Sequence, residues 1–157
     1  ARRSPAGAVH GLVVGTGELE AEARRAAAKN GAPVTFTGFL NQTEIGEAYA
    51  AADVLVLPSD WGETWGLVVN EGMLFGLPAV VSDRVGCGPD LVTEGETGRV
   101  APFGDVEVLA DTMEGLVRDA ERRKSMGEKA RARALNYSPR RGATATLEAV
   151  RIAMGGA

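Results

Sequence analysis

Short apolar runs alternate along the chain with longer stretches in which alanine and leucine recur among charged residues at helical spacing. Strands covered on both sheet faces read as unbroken apolar runs, and the helices covering them read as amphipathic segments between. The pattern predicts βα units stacked into an α/β domain, a Rossmann-like three-layer parallel sheet with helices on both faces. Strands are expected at Val9–Val14, Val34–Thr37, Val54–Leu57, Ala79–Ser82 and near Gly98–Ala101.

The punctuation agrees with that reading. Asn30-Gly31 closes a helix over Leu19–Lys29, and Asn41, with Glu44 at the capping-box position, opens one that runs to Ala51. A helix from about Gly66 to Phe75 stops at Gly76, and Pro78 leads into the next strand. Asp105 can cap a helix, after which two or three helices divide at Asn136-Tyr137-Ser138-Pro139.

The 157 residues, 45% hydrophobic and 24% charged, suit one domain with a sizeable core. A net charge of -4 argues against nucleic acid as a partner. The basic stretch Arg118–Arg141 is either a solvated face or a peripheral membrane-surface patch. One cysteine, Cys87, excludes an internal disulfide and suits a reducing, cytoplasmic setting, where it reads as a small spacer. The sole histidine, His10, reads as structural. No apolar run reaches the roughly 18 to 20 residues of a membrane-spanning helix. Starting at Ala1, close to a strand, the sequence reads as an excised piece.

Ligands of open α/β sheets bind outside the carboxyl ends of the strands. Four unusual loops follow expected strands and should share one rim: Gly15-Thr16-Gly17, Gly38-Phe39-Leu40, Ser59–Gly66 and Val85–Gly88. In the third, Glu63 precedes a helix and Glu71 lies inside it, with seven residues between them. The helix start between the two glutamates offers unpaired N–H groups to a diphosphate, with Gly66 letting the ligand close to the backbone. Each carboxylate can accept two hydrogen bonds from a diol. Two diol-bearing rings flanking a diphosphate outline a nucleotide sugar. The neighbours of Glu71 (Leu67, Val68, Val69, Met73, Leu74, Phe75) leave its helix little solvated face, so Glu71 needs a partner. Trp61 is either a sugar-stacking platform or a packed aromatic.

Several pieces in order resemble one family. They are Val13-Val14-Gly15-Thr16-Gly17, Val34–Gly38, Ala52–Ser59, the Glu63/Glu71 pair, Gly76–Ser82 and Gly95–Gly98, together covering roughly two thirds of the chain. This set resembles the C-terminal, donor-binding domain of retaining GT-B glycosyltransferases of family 4 (glycosyl transferases group 1). The resemblance implies one nucleotide-sugar-binding domain over residues 1–157, with residues 119–157 as its C-terminal helices. It implies that Glu63 holds hydroxyls of the transferred sugar and Glu71 the ribose diol. Thr64, Trp65, Gly66 and Leu67 would face the sugar and phosphates, and Gly38, Phe39, Leu40 and Gly15 would line the base side. These catalytic carboxylates would position the donor without acting as nucleophile or base. No cofactor is implied. The acceptor, a saccharide or lipid, would sit on a separate N-terminal domain, and the outcome would be retention.

The sequence departs from that family in places. The strand that usually precedes the first one here, with its Gly-Arg loop and nearby Lys, is absent, so the sheet must tolerate a gap, pair differently or borrow a strand. Trp65 replaces a commoner Phe, and Gly72 a commoner Ala. No Asp-x-Asp occurs, which points to metal-independent chemistry. Competing readings are a nucleotide or nucleotide-sugar binding module without catalysis, a nucleotide-sugar epimerase and a flavodoxin-like signalling domain.

Overall fold

The computed structural model describes residues 9–155. Five strands alternate with helices: β1 (Gly11–Val14), α1 (Glu20–Asn30), β2 (Val34–Gly38), α2 (Ile45–Ala51), β3 (Leu55–Leu57), α3 (Leu67–Leu74), β4 (Ala79–Ser82), α4 (Gly88–Leu91) and β5 (Gly98–Ala101). Three further helices follow among the described residues: α5 (Val106–Arg118), α6 (Ala120–Ala134) and α7 (Pro139–Ala153). The expected strands all form. The single-turn α4, hidden in a Gly-Cys-Gly-Pro segment, was not anticipated by the periodicity, which needs several turns to show.

Every named strand pairing is parallel, but the pairing falls into two groups, β1-β2 and β3-β4-β5, among the described residues. Of the three outcomes expected for the sheet, a gap in the pairing is the one observed. Its consequence is exposed apolar surface: Leu12, Val13 and Val14 of β1 are 37–42% exposed, whereas all four residues of β4 are buried. His10 supports the first pair through a 2.8 Å hydrogen bond between its Nε2 and Thr35 Oγ1, a structural role as expected.

The core sits around β4. Val69 and Met73 of α3, Val80 and Val81 of β4, Leu91, Met126 and Ala130 are all 2% exposed or less. Each fully buried large side chain contributes about 1.5–3 kcal/mol. The basic α6 turns Met126, Gly127, Ala130 and Ala134 inward, so its charges project to solvent. Two of its arginines bind carbonyls instead: Arg123 donates to Leu116 O at 2.8 Å, and Arg133 donates twice to Asp90 O.

The helix termini follow their sequence signals closely. Asn41 Oδ1 accepts from Thr43 N and Glu44 Oε2 accepts from Asn41 N, the reciprocal pair expected, though the bonded turn stands ahead of α2 proper. Asp105 accepts from Val108 N at 3.0 Å and caps α5. Ser138 caps α7, with Pro139 as its first residue.

Candidate functional site

The segment between β3 and α3 is a folded loop held from both sides. Asp60 Oδ1 accepts from Gly62 N and Asp60 O accepts from Glu63 N, so a tight turn presents Trp61 and brings in Glu63. Trp65 is half-buried, its indole N–H donating to Asn70 Oδ1 at 2.8 Å across the helix start. Cys87 N donates to Trp65 O at 2.8 Å, pinning the loop to the segment after β4. Gly86 lies so close that a Cβ there would stand 1.9 Å from Thr64 O. The glycine-rich loop expected as part of the rim thus acts as a backbone clamp on residues 64 and 65.

Gly66 caps α3 at φ +97°, a left-handed conformation that glycine adopts without strain. A Cβ there would point inward, 3.1 Å from both Leu57 and Val85 side-chain carbons. Internal packing and the turn thus require a glycine here, a reason that the expectation of ligand access to the backbone did not include. The helix start carries no side-chain cap, and Leu67 beside it is 68% exposed. Val69 N donates to Gly66 O at 2.9 Å, and no side chain caps the amides ahead of it, the groups that a helix start leaves unpaired.

Glu71 sits four residues further on, roughly 6 Å along the axis from Leu67. It is exposed, which corrects the expectation that α3 lacks a solvated face: Leu67, Glu71, Leu74 and Phe75 form one, while Val69, Gly72 and Met73 face the core. The partner it was expected to need is Tyr49 of α2, whose hydroxyl donates to Glu71 Oε2 at 2.7 Å. Tyr49 is 7% exposed, with its ring 5.4 Å from that of Phe75. Burial, then the hydrogen bond to Glu71, then the Glu71 charge hold the Tyr49 hydroxyl well above its ordinary pKa. The unfolded chain therefore releases this proton first as pH climbs past the ordinary value of 10.0. The stability this group contributes is complete below that pH and is lost above it. Tyr49→Phe should abolish that part of the alkaline loss, which denaturation midpoints of both proteins across the alkaline range would measure; identical profiles would refute the assignment.

Neither Tyr49 nor Asn70 was singled out from sequence. Asn70 carried a signal, since a lone amide in an apolar helix run needs a partner. The signal for Tyr49 was weaker, because a Tyr four residues after Ile45 reads first as core. Cys87 is wholly buried, and desolvation above all pushes its thiol up to about 11, with Glu63 and Asp90 adding to the rise. It remains a spacer, as expected.

Gly15, Gly38, Phe39 and Leu40 gather at the far ends of β1 and β2. Gly15 N donates to Gly38 O at 2.8 Å, both glycines have positive φ, and Phe39 is 77% exposed. No strand pairing joins this group to the Glu63/Glu71 group among the described residues. Helix α2, which follows β2 in the chain, reaches α3 through the Tyr49–Glu71 bond. A cavity of about 270 Å³ lies elsewhere, at the ends of β3, β4 and β5, and none of the expected site residues lines it.

Comparison with known proteins bears on the family and the fold. The model of the family described as glycosyl transferases group 1 matches residues 6–133. The chain is 43% identical over 117 residues to sulfoquinovosyl transferase SQD2 of Arabidopsis thaliana, covering 73% of this chain and 22% of that protein. It is 43% identical over 95 residues to D-inositol 3-phosphate glycosyltransferase of Corynebacterium efficiens, covering 60% of this chain and again 22% of the relative. Among solved structures, HepE of Anabaena in complex with UDP-glucose superposes with a TM-score of 0.70 at 27% identity, over 80% of this chain and 36% of that one. Such neighbours are GT-B glycosyltransferases, and the fold here is theirs. By its strands, its loop-to-helix glutamates and the match over most of its length, the chain belongs to the glycosyl transferases group 1 family.

Proposed function

We propose that this chain is the donor-binding half of a retaining glycosyltransferase that moves a sugar from a nucleoside diphosphate to an acceptor. The observation that carries the reading is the start of α3, without a side-chain cap, with Glu63 in the loop before it and Tyr49-held Glu71 one turn inside it. In this reading the amides of Thr64, Trp65, Gly66 and Leu67 take the diphosphate and its developing charge, aided by the helix dipole. Glu71 binds the ribose diol and Glu63 the hydroxyls of the transferred sugar, both as acceptors that fix orientation. Gly15, Gly38, Phe39 and Leu40 form the base side of the cleft, which closes when the two strand groups are bridged. HepE, solved with UDP-glucose, supports a nucleotide sugar as the ligand. The acceptor saccharide or lipid is held mainly by a separate N-terminal domain.

The same proposal includes chemistry free of metal and cofactor, because the chain has no Asp-x-Asp to hold a cation between phosphate oxygens. It also includes a cytoplasmic setting, where nucleotide sugars and a reduced cysteine both fit. No helix is long and apolar enough to cross a membrane among the described residues.

Calorimetric titration of the chain with UDP and with UDP-glucose tests the reading. Glu63→Ala should erase the preference for the sugar donor over the free diphosphate, a loss of roughly ten- to a hundredfold for bonds to a charged acceptor. Equal losses for both ligands would contradict the role given to Glu63.

A further inference from the structure

Three loops that follow β3, β4 and β5 meet in one stack. The Arg84 guanidinium carbon lies 4.3 Å from the ring centre of Phe103 and 5.5 Å from that of Trp61. Backbone ties fix the stack from beneath: Asp83 Oδ1 accepts from Phe103 N at 2.8 Å, and the Ser82 hydroxyl donates to Ser59 O. The Asp60 turn holds Trp61 from the other side. Trp61 nevertheless leaves 73% of its surface in water. An exposed apolar residue alone means little. An indole fixed in a turn, oriented by a cation over one face and open to solvent over its surface, is a prepared stacking surface, since its ordering entropy is already spent.

The surroundings select the ligand. An aromatic face attracts the C–H face of a pyranose ring, whose hydroxyl edge then needs acceptors and donors nearby. The Arg84 guanidinium carries five N–H donors, which can serve such hydroxyls beside the rings it lies over. Asp60, Glu63, Asp83 and Asp105 stand on the same loops and outnumber Arg84, a balance that favours a neutral polyol over an anion. Phe103 and Asp105 also line the cavity of about 270 Å³, giving room beyond the platform. We propose that Trp61 is a stacking platform for a pyranose ring, with Arg84 setting its orientation. The inference rests on the glycosyl-transfer reading for its substrate class, yet its site is separate from the α3 helix start.

The two indole N–H resonances of the chain test it. Trp65 donates to Asn70, so its signal differs from that of exposed Trp61, and Trp61→Phe assigns the pair. Methyl α-glucopyranoside is expected to shift the Trp61 signal saturably, with glycerol at equal hydroxyl concentration inert. A shift by the free glycoside on UDP-saturated protein marks the acceptor ring; a shift by UDP-glucose but not UDP marks the donor ring. Either supports the platform. Arg84→Ala should weaken the response roughly two- to fivefold, the size of one exposed cation–π contact, without changing UDP affinity. An unmoved Trp61 signal with every sugar, or an equal response to glycerol, overturns the platform. If UDP still binds in that case, the donor-site reading survives; saturable sugar shifts without UDP binding would sink the donor site alone.

Discussion

Gly86→Ala should cost about 3 kcal/mol, near the upper end for overpacking, because the new methyl has nowhere to go. Its Cβ would stand 1.9 Å from Thr64 O and 2.7 Å from Thr64 C, both backbone atoms fixed by neighbouring bonds. A flexible side chain could swing aside from such a clash; a peptide group held by the Cys87 N to Trp65 O bond cannot. The φ of Gly86 is not positive, so the penalty is steric and not conformational. The urea midpoint should drop by roughly 1 to 2 M at ordinary denaturant slopes. Relief comes only by parting the two loops, and UDP affinity should then fall together with stability. Wild-type stability in this variant would show that the clamp is loose.

The fold was legible where apolar residues run together. Val54–Leu57 and Ala79–Val81 are continuous apolar runs, and the structure builds β3 and β4 on them, β3 half-buried and β4 wholly buried. Caps were legible because they are local: Asp105 and the Asn41/Glu44 pair bond within three residues, as does Ser138 in the segment read as a break between helices. The division of the strands into two groups was legible only as a choice among outcomes, since pairing depends on contacts distant in sequence. The glutamate loop was found from spacing, but what positions it was not. Tyr49 lies 22 residues before Glu71, and the hydrogen bond between them depends on how α2 packs against α3. Glu71 was expected to be short of solvent because its neighbours are apolar; packing left several of those neighbours exposed beside it. Gly66 was assigned to ligand access, yet the direction of its absent Cβ depends on Leu57, Val85 and Cys87 from two other segments. Sequence spacing carries residue identity to a site, whereas the side a residue faces is decided by partners elsewhere.

That distinction shapes the expected behaviour of Glu71→Ala. Loss of a charged acceptor for a ribose diol should weaken UDP binding by about ten- to a hundredfold, with turnover of an intact transferase falling alongside. Fold stability should change by only about 1 kcal/mol, since Glu71 itself is exposed and only the Tyr49 hydroxyl loses a partner. The tyrosine reports independently on whether the residue was removed cleanly. Two of the three causes that raise its pKa disappear with the carboxylate, while burial, the largest, persists. Tyrosinate absorbance should therefore appear at lower pH in Glu71→Ala than in the parent, yet still above the ordinary value of 10.0. Glu71→Gln separates the two duties of the side chain: its amide oxygen still accepts from Tyr49, so stability returns, but one carboxylate oxygen and the charge are gone, so UDP binding does not. Should Glu71→Gln bind UDP as the parent does, the carboxylate serves α2 packing alone, and the ribose must be held by another group on the rim.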